Sequence, residues 1–144
     1  MDRHTYLAVV NILLRKGDTI LLARRFNTGY FDGAYEAPSG HMDGNETVRA
    51  AAVREANEEL GITIDVEDLQ VTHVMHRFGD GYERIEFFLT ASRWEGEPRI
   101  MEPEECDELG WFPLDALPAN MTPKSKAGIE YAVAGVTYSE FDWK

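Results

Sequence analysis

Apolar residues recur along this chain with two different periods. Residues 5–14 form a nearly unbroken run of Val, Ile and Leu, interrupted by Asn11, and predict a buried strand. Lys16-Gly17-Asp18 reads as a turn and Thr19 to Arg24 as a second strand, so the two predict a hairpin. Residues 26–45 are dense in Gly, with Pro, Asn and Asp, and predict an irregular loop. From Glu46 to Leu60 the period becomes helical, with Asn45 as N-cap, Glu46 in the first turn against the helix dipole and Gly61 as a left-handed C-cap. Residues 70–77 and 84–92 predict two strands around a turn at Gly79-Asp80-Gly81. Leu109 to Phe112 predicts a short strand and Pro113 to Leu117 a turn-like helix. Lys124 to Val136 predicts a second long helix with Ile129, Tyr131, Ala132 and Val133 on its apolar face. Strands mixed with two helices predict an α/β fold, with helices on both faces of a mixed sheet.

The first helix is unusual in its acids. With about 100° per residue, Glu59 falls at roughly +40° from Glu55 and Glu58 at about −60°. Three carboxylates share one face, while Val53, Ala56 and Leu60 lie opposite and can pack on the sheet. Like charges at this spacing repel by roughly 0.2–0.5 kcal/mol per pair. A hard divalent cation would relieve them, since Mg²⁺ prefers carboxylate and water oxygens. A solvated acidic face is the plain alternative in a chain with 26 Asp and Glu. Pro38-Ser39-Gly40 is a turn able to bring a backbone carbonyl beside these carboxylates. Arg54 can clamp Glu46 or Glu55 by charge-assisted hydrogen bonds.

Composition narrows the ligand. The net charge of −12 repels polymeric nucleic acid, and would repel a small phosphate ester too unless cations intervene. One cysteine, Cys106, allows no internal disulfide and fits a reducing compartment. No apolar stretch approaches a membrane span, and the N-terminal run lacks a leader-type cleavage site, so a cytoplasmic protein without membrane partners is expected. The 144 residues suit one domain, 1–144. His73 and His76, three apart on a strand, point to opposite faces and make a poor metal pair.

Gly40, Glu46, Arg54, Glu55, Ala56, Glu58, Glu59, Gly61 and Ile62 fill every specified position of the Nudix box. At background frequencies of about 5–7% per named residue, a chance match is on the order of one in 10⁸ per start point. The chain therefore resembles the Nudix hydrolases. The Trp94-Glu95-Gly96-Glu97-Pro98 and Glu108-Leu109-Gly110-Trp111-Phe112 segments are similar to regions common in that family.

The resemblance implies an α/β/α sandwich with a mixed sheet and metal-dependent cleavage of a diphosphate linkage in a small nucleotide, a nucleoside triphosphate first or a nucleoside diphosphate linked to another group. It implies Mg²⁺, with Mn²⁺ also suited. Glu58 and Glu59 would be metal ligands, Glu55 a ligand or the water-activating base, and Arg54 part of the catalytic set. The Ser39 carbonyl and Glu105, with Glu104 second, would complete the ligands. Arg24, Arg25 or Arg77 would bind phosphate, and Tyr35, with Phe26 and Phe78, could stack on a base, although core packing suits those rings as well. Thr122-Pro123-Lys124-Ser125 stands where one branch of the family carries acidic base-reading residues. Many members are homodimers. A catalytically silent nucleotide-binding module on the same fold is the competing class, disfavoured by the intact box.

Overall fold

The computed structural model describes residues 2–143. Its strands are β1 (Leu7–Lys16), β2 (Thr19–Arg25), β3 (Tyr35–Glu36), β4 (Ser39–His41), β5 (Gln70–Gly79), β6 (Tyr82–Ala91), β7 (Cys106–Pro113) and β8 (Tyr138–Phe141). Helix α1 spans Val48–Leu60 and α2 spans Pro123–Val133. The strands form one mixed sheet in the order β3-β2-β1-β6-β5-β8, with β4 paired to β1 and β7 to β2.

Strand β1 organises the molecule. Its run is apolar because both faces are covered. Val10, Ile12 and Leu14 face the core that includes Ala51, Ala52, Ala56 and Leu60 of α1. Leu13 faces the other core, with Phe88, Met75 and Ile129 of α2. The expected α/β/α sandwich follows from this alternation. Each fully buried Leu or Ile contributes about 1.5–3 kcal/mol of transfer free energy. Ala51, Ala52 and Ala56 of α1 have no exposed area, and their small side chains let the helix sit close on the sheet.

β1 divides its partners along its length. Arg15 and Lys16 pair with β2 in the expected hairpin, while Val9 to Asn11 pair with β4. On the other edge β1 runs parallel to β6, with Val9 beside Glu86 and Asn11 beside Phe88. β6 returns antiparallel to β5 around Asp80-Gly81, close to the expected turn.

Local details depart from the sequence reading. Within 26–45, Tyr35–Glu36 and Ser39–His41 are short strands rather than loop, because β2 and β1 offer them free edges. Asn45 does not cap α1: its backbone is left-handed, with φ 56. Thr47 caps instead, in extended conformation, its hydroxyl accepting from the Ala50 N–H at 3.1 Å. Glu46 therefore precedes the helix. Gly61 closes it at φ 68, as expected. After β7 there is a single turn, Ala116 N–H to Pro113 carbonyl, and no helix. α2 stops at Val133, before Gly135 at φ 78, and Tyr131 and Val133 lie exposed rather than inward; Ser125, Gly128 and Ile129 carry the buried face. β8 was not anticipated. It adds to the β5 edge in parallel.

Candidate active site

A cavity of about 490 Å³ opens over the face of the sheet that carries Val9 and Glu86. One end is formed by Ser39, Gly40 and the C-terminal turn of α1; the β7 entry and the loop before it close the side.

The acidic end is built by the box. Glu55 is almost fully buried, and Gly40 passes so close that a Cβ there would have to displace the Glu55 carboxyl. Arg54 ties the box together. Its Nε and Nη2 donate to the two oxygens of Glu46 at 3.0 and 2.8 Å, and its Nη1 to Glu55 at 2.9 Å and Glu58 at 3.2 Å. Nη2 also reaches the His41 carbonyl at 3.2 Å, joining helix to β4. The sequence offered Glu46 or Glu55 as its partner; Arg54 takes both. The guanidinium holds the Glu46 carboxyl down to about 2. For Glu55 burial wins over Arg54, and its carboxyl titrates above the usual range.

Glu59 is the box carboxylate that lines the cavity. Burial first, then Glu55, Glu102, Glu36 and Glu105, push its carboxyl up to about 9. Glu105 lines the cavity; Glu104 does not, and Glu102 takes the neighbouring place. Burial, followed by Glu105, Glu104 and Glu58, raises Glu102 as well. The Ser39 residue is on the wall, while Glu58 is exposed on Arg54 and Glu55 lies behind Gly40. Among the described residues no three acidic, histidine or cysteine side chains converge closely enough to clasp an ion as they stand. The donor chemistry nonetheless fits a hard cation: a carbonyl and carboxylates, with Glu55, Glu102, Glu36 and Glu105 all repelling charge on Glu59.

The expected substrate residues divide. Arg24, Arg25 and Arg77 all line the cavity. Arg24 is already forked onto Asp107 at 2.8 and 3.0 Å, and Arg25 donates to Glu36 at 2.7 Å. Tyr35 is not on the wall: its hydroxyl donates to Glu108 at 2.6 Å and its ring meets Phe112 edge-on, because β3 turns it toward β7. Phe26 and Phe78 are exposed, in neither cavity nor core. His73 is buried and bonded to Ser139 and the Val136 carbonyl, and half-buried His76 meets Glu83, so they share no site.

Of the far end the sequence singled out Arg77 as a substrate residue, but not the cluster around Glu86. Glu86, 1% exposed, accepts from Asn11 Nδ2 at 3.0 Å, and Lys124 Nζ lies 3.2 Å from the same oxygen and 2.9 Å from Asn11 Oδ1. Arg77 Nη1 reaches the other Glu86 oxygen at 3.4 Å. The available signal was Asn11 and Glu86 themselves, polar residues inside otherwise apolar strand runs.

A mixed sheet between two helices, with a glutamate-bearing helix end at a cavity, is the arrangement that the Nudix box of the sequence implies. Comparison with known proteins agrees. The NUDIX domain family model matches residues 4–132, and the chain belongs to the Nudix family. An 8-oxo-dGTP diphosphatase from Escherichia coli (strain K12) is 32% identical over 114 residues, 79% of this chain and 84% of that protein. An NAD-capped RNA hydrolase NudC from Stutzerimonas stutzeri (strain A1501) is 27% identical over 75% of this chain, which spans 37% of that protein. The solved MutT NUDIX hydrolase from Burkholderia pseudomallei superposes with TM-score 0.81 at 29% identity, covering 88% of this chain and 98% of that one.

Proposed function

We propose that this chain hydrolyses a phosphoanhydride bond in a small nucleotide, a nucleoside triphosphate first, with Mg²⁺ or Mn²⁺ as cofactor. The single observation carrying this is that Glu59, Glu102 and Glu105, whose charges repel one another, line a cavity whose wall also bears arginines and Lys124. The likeness to 8-oxo-dGTP diphosphatases supports the nucleotide.

Glu58, Glu59, Glu55, the Ser39 carbonyl and Glu105, joined by Glu102, would hold the metal. When bound, it would supply charge neutralisation of the diphosphate and acidification of the attacking water. Glu46 and Glu55 are fixed by Arg54, so the helix end keeps its shape while the acids repel one another. Arg25 and Arg24, at the cavity side, offer donors to phosphate oxygens on the substrate. Leu60 and Val9 give an apolar wall that limits water.

The test is product release from a nucleotide panel with Mg²⁺ or Mn²⁺, and with chelator. Metal-dependent hydrolysis that falls at least about a hundredfold in Glu58→Gln and Glu59→Gln is expected, beyond the range seen when only an outer contact of a metal is lost. A folded protein that binds nucleotides and turns none over would instead be a binding module.

A further inference from the structure

The cavity crosses four neighbouring strands, β4, β1, β6 and β5. At about 4.8 Å per strand, β5 lies roughly 14 Å from Ser39 on β4. Arg77 is on β5, so it stands at the opposite end from the acids and not over the bond to be cut.

That end holds more positive charge than it neutralises. Arg77, 8% exposed, and Lys124 share one carboxylate, Glu86. A guanidinium has five N–H donors. Arg77 uses one on Glu86 at 3.4 Å, long for a charge-assisted bond, and one on the Tyr30 hydroxyl at 3.0 Å. Its Nε is buried with no partner among the described residues. Glu86 in turn has one oxygen carrying only that long contact. Burying an under-partnered charge costs free energy, and an apolar floor would stabilise the fold better. The arrangement is that of a site waiting for an oxygen.

We propose that Arg77, assisted by Lys124, is the specificity-determining group of this cavity: it donates to an oxygen acceptor on the part of the substrate remote from the phosphoanhydride. That oxygen is a keto oxygen of a nucleobase or an anionic oxygen of a phosphate. The spare Glu86 oxygen accepts an N–H beside a keto group. Glu86 and Tyr30 are positioning residues. The inference rests on the nucleotide reading above only for what occupies the acidic end.

The test is binding without turnover, by ligand-observed NMR on the whole chain in excess chelator. The probes are guanosine, 2-aminopurine riboside (which lacks the 6-oxo group and the N1–H beside it, and so both proposed contacts) and inorganic phosphate. A hydrogen bond to a charged donor predicts at least about a tenfold preference for guanosine over 2-aminopurine riboside if the oxygen is a keto group. Phosphate binding identifies the anionic source instead. Either must vanish in Arg77→Met and survive in part in Arg77→Lys. Tyr30→Phe, which removes only a surface hydroxyl that orients Arg77, should weaken it and guards against misfolding of the first variant. No guanosine preference together with no phosphate binding overturns the proposal, and so does a preference that persists in a folded Arg77→Met. Absence of hydrolysis on the nucleotide panel would sink the proposed reaction while leaving this measurement decisive.

Discussion

Gly40 lies against the carboxyl group of Glu55, so that a methyl group on Gly40 would overlap it. The glycine of the box is thus a spatial requirement of its glutamate. Gly40→Ala must displace Glu55, and with it the Arg54 clamp. A loss of about 1–3 kcal/mol in urea unfolding is expected, with catalytic activity falling further than stability. Wild-type activity in a folded Gly40→Ala would remove Glu55 from the mechanism.

Arg54 holds three carboxylates and a carbonyl from one guanidinium. Arg54→Gln should lower activity about 10- to 100-fold, the range found for groups that orient metal ligands. The effect should be seen as a higher Mg²⁺ concentration for half-maximal rate. An unchanged metal dependence would make Arg54 a purely structural clamp.

Ser125 fixes the chain that leads into Ser39 of β4. Its buried hydroxyl accepts from the Ala37 N–H at 2.8 Å, tying α2 to the chain just before β4. Ser125→Ala leaves that N–H unpaired, at a cost of about 1–3 kcal/mol. Thermal melting should register the loss. No change in melting would mean that water takes the place of the hydroxyl.

Acid should loosen the far end. Burial acts to raise the Glu86 carboxyl, but Lys124, Asn11 and Arg77 together outweigh it and hold the group below its usual range. A depressed carboxyl contributes stability that is complete above its unfolded value, about 4.3, and is lost as pH falls through the lower folded value. Glu86→Gln should start less stable at pH 7 and lose less between pH 5 and pH 3. Parallel losses in both proteins would show that Glu86 does not drive the acid response.

Local chemistry explains what the sequence made legible. The run of α1 to Leu60, its Gly61 cap and the Gly17 turn depend on residues near one another in the chain, and stand where the pattern put them. Asn45 and Thr47 are both good capping types; only the backbone angles of the folded loop choose between them. β3, β4 and β8 have two to four residues, too few to display a period, and exist because longer strands leave edges to pair. The Asn11, Glu86, Arg77 and Lys124 cluster needs β1 to lie parallel to β6 and α2 to cross beneath the sheet, which no window of sequence contains.

The same cluster sets an order of events in the making of the molecule. Asn11 meets Glu86 across 75 positions and Lys124 across 113. Contacts at such separations form after nearer ones, since the chain must first be brought together over the intervening length. During synthesis β1 and β2 can close their hairpin early, yet the opposite edge of β1 stays bare until β6 has emerged. The floor of the cavity then gains its lysine only when α2 follows. A chain halted after β6 would carry the acidic helix and Glu86 without the second cation that neutralises it.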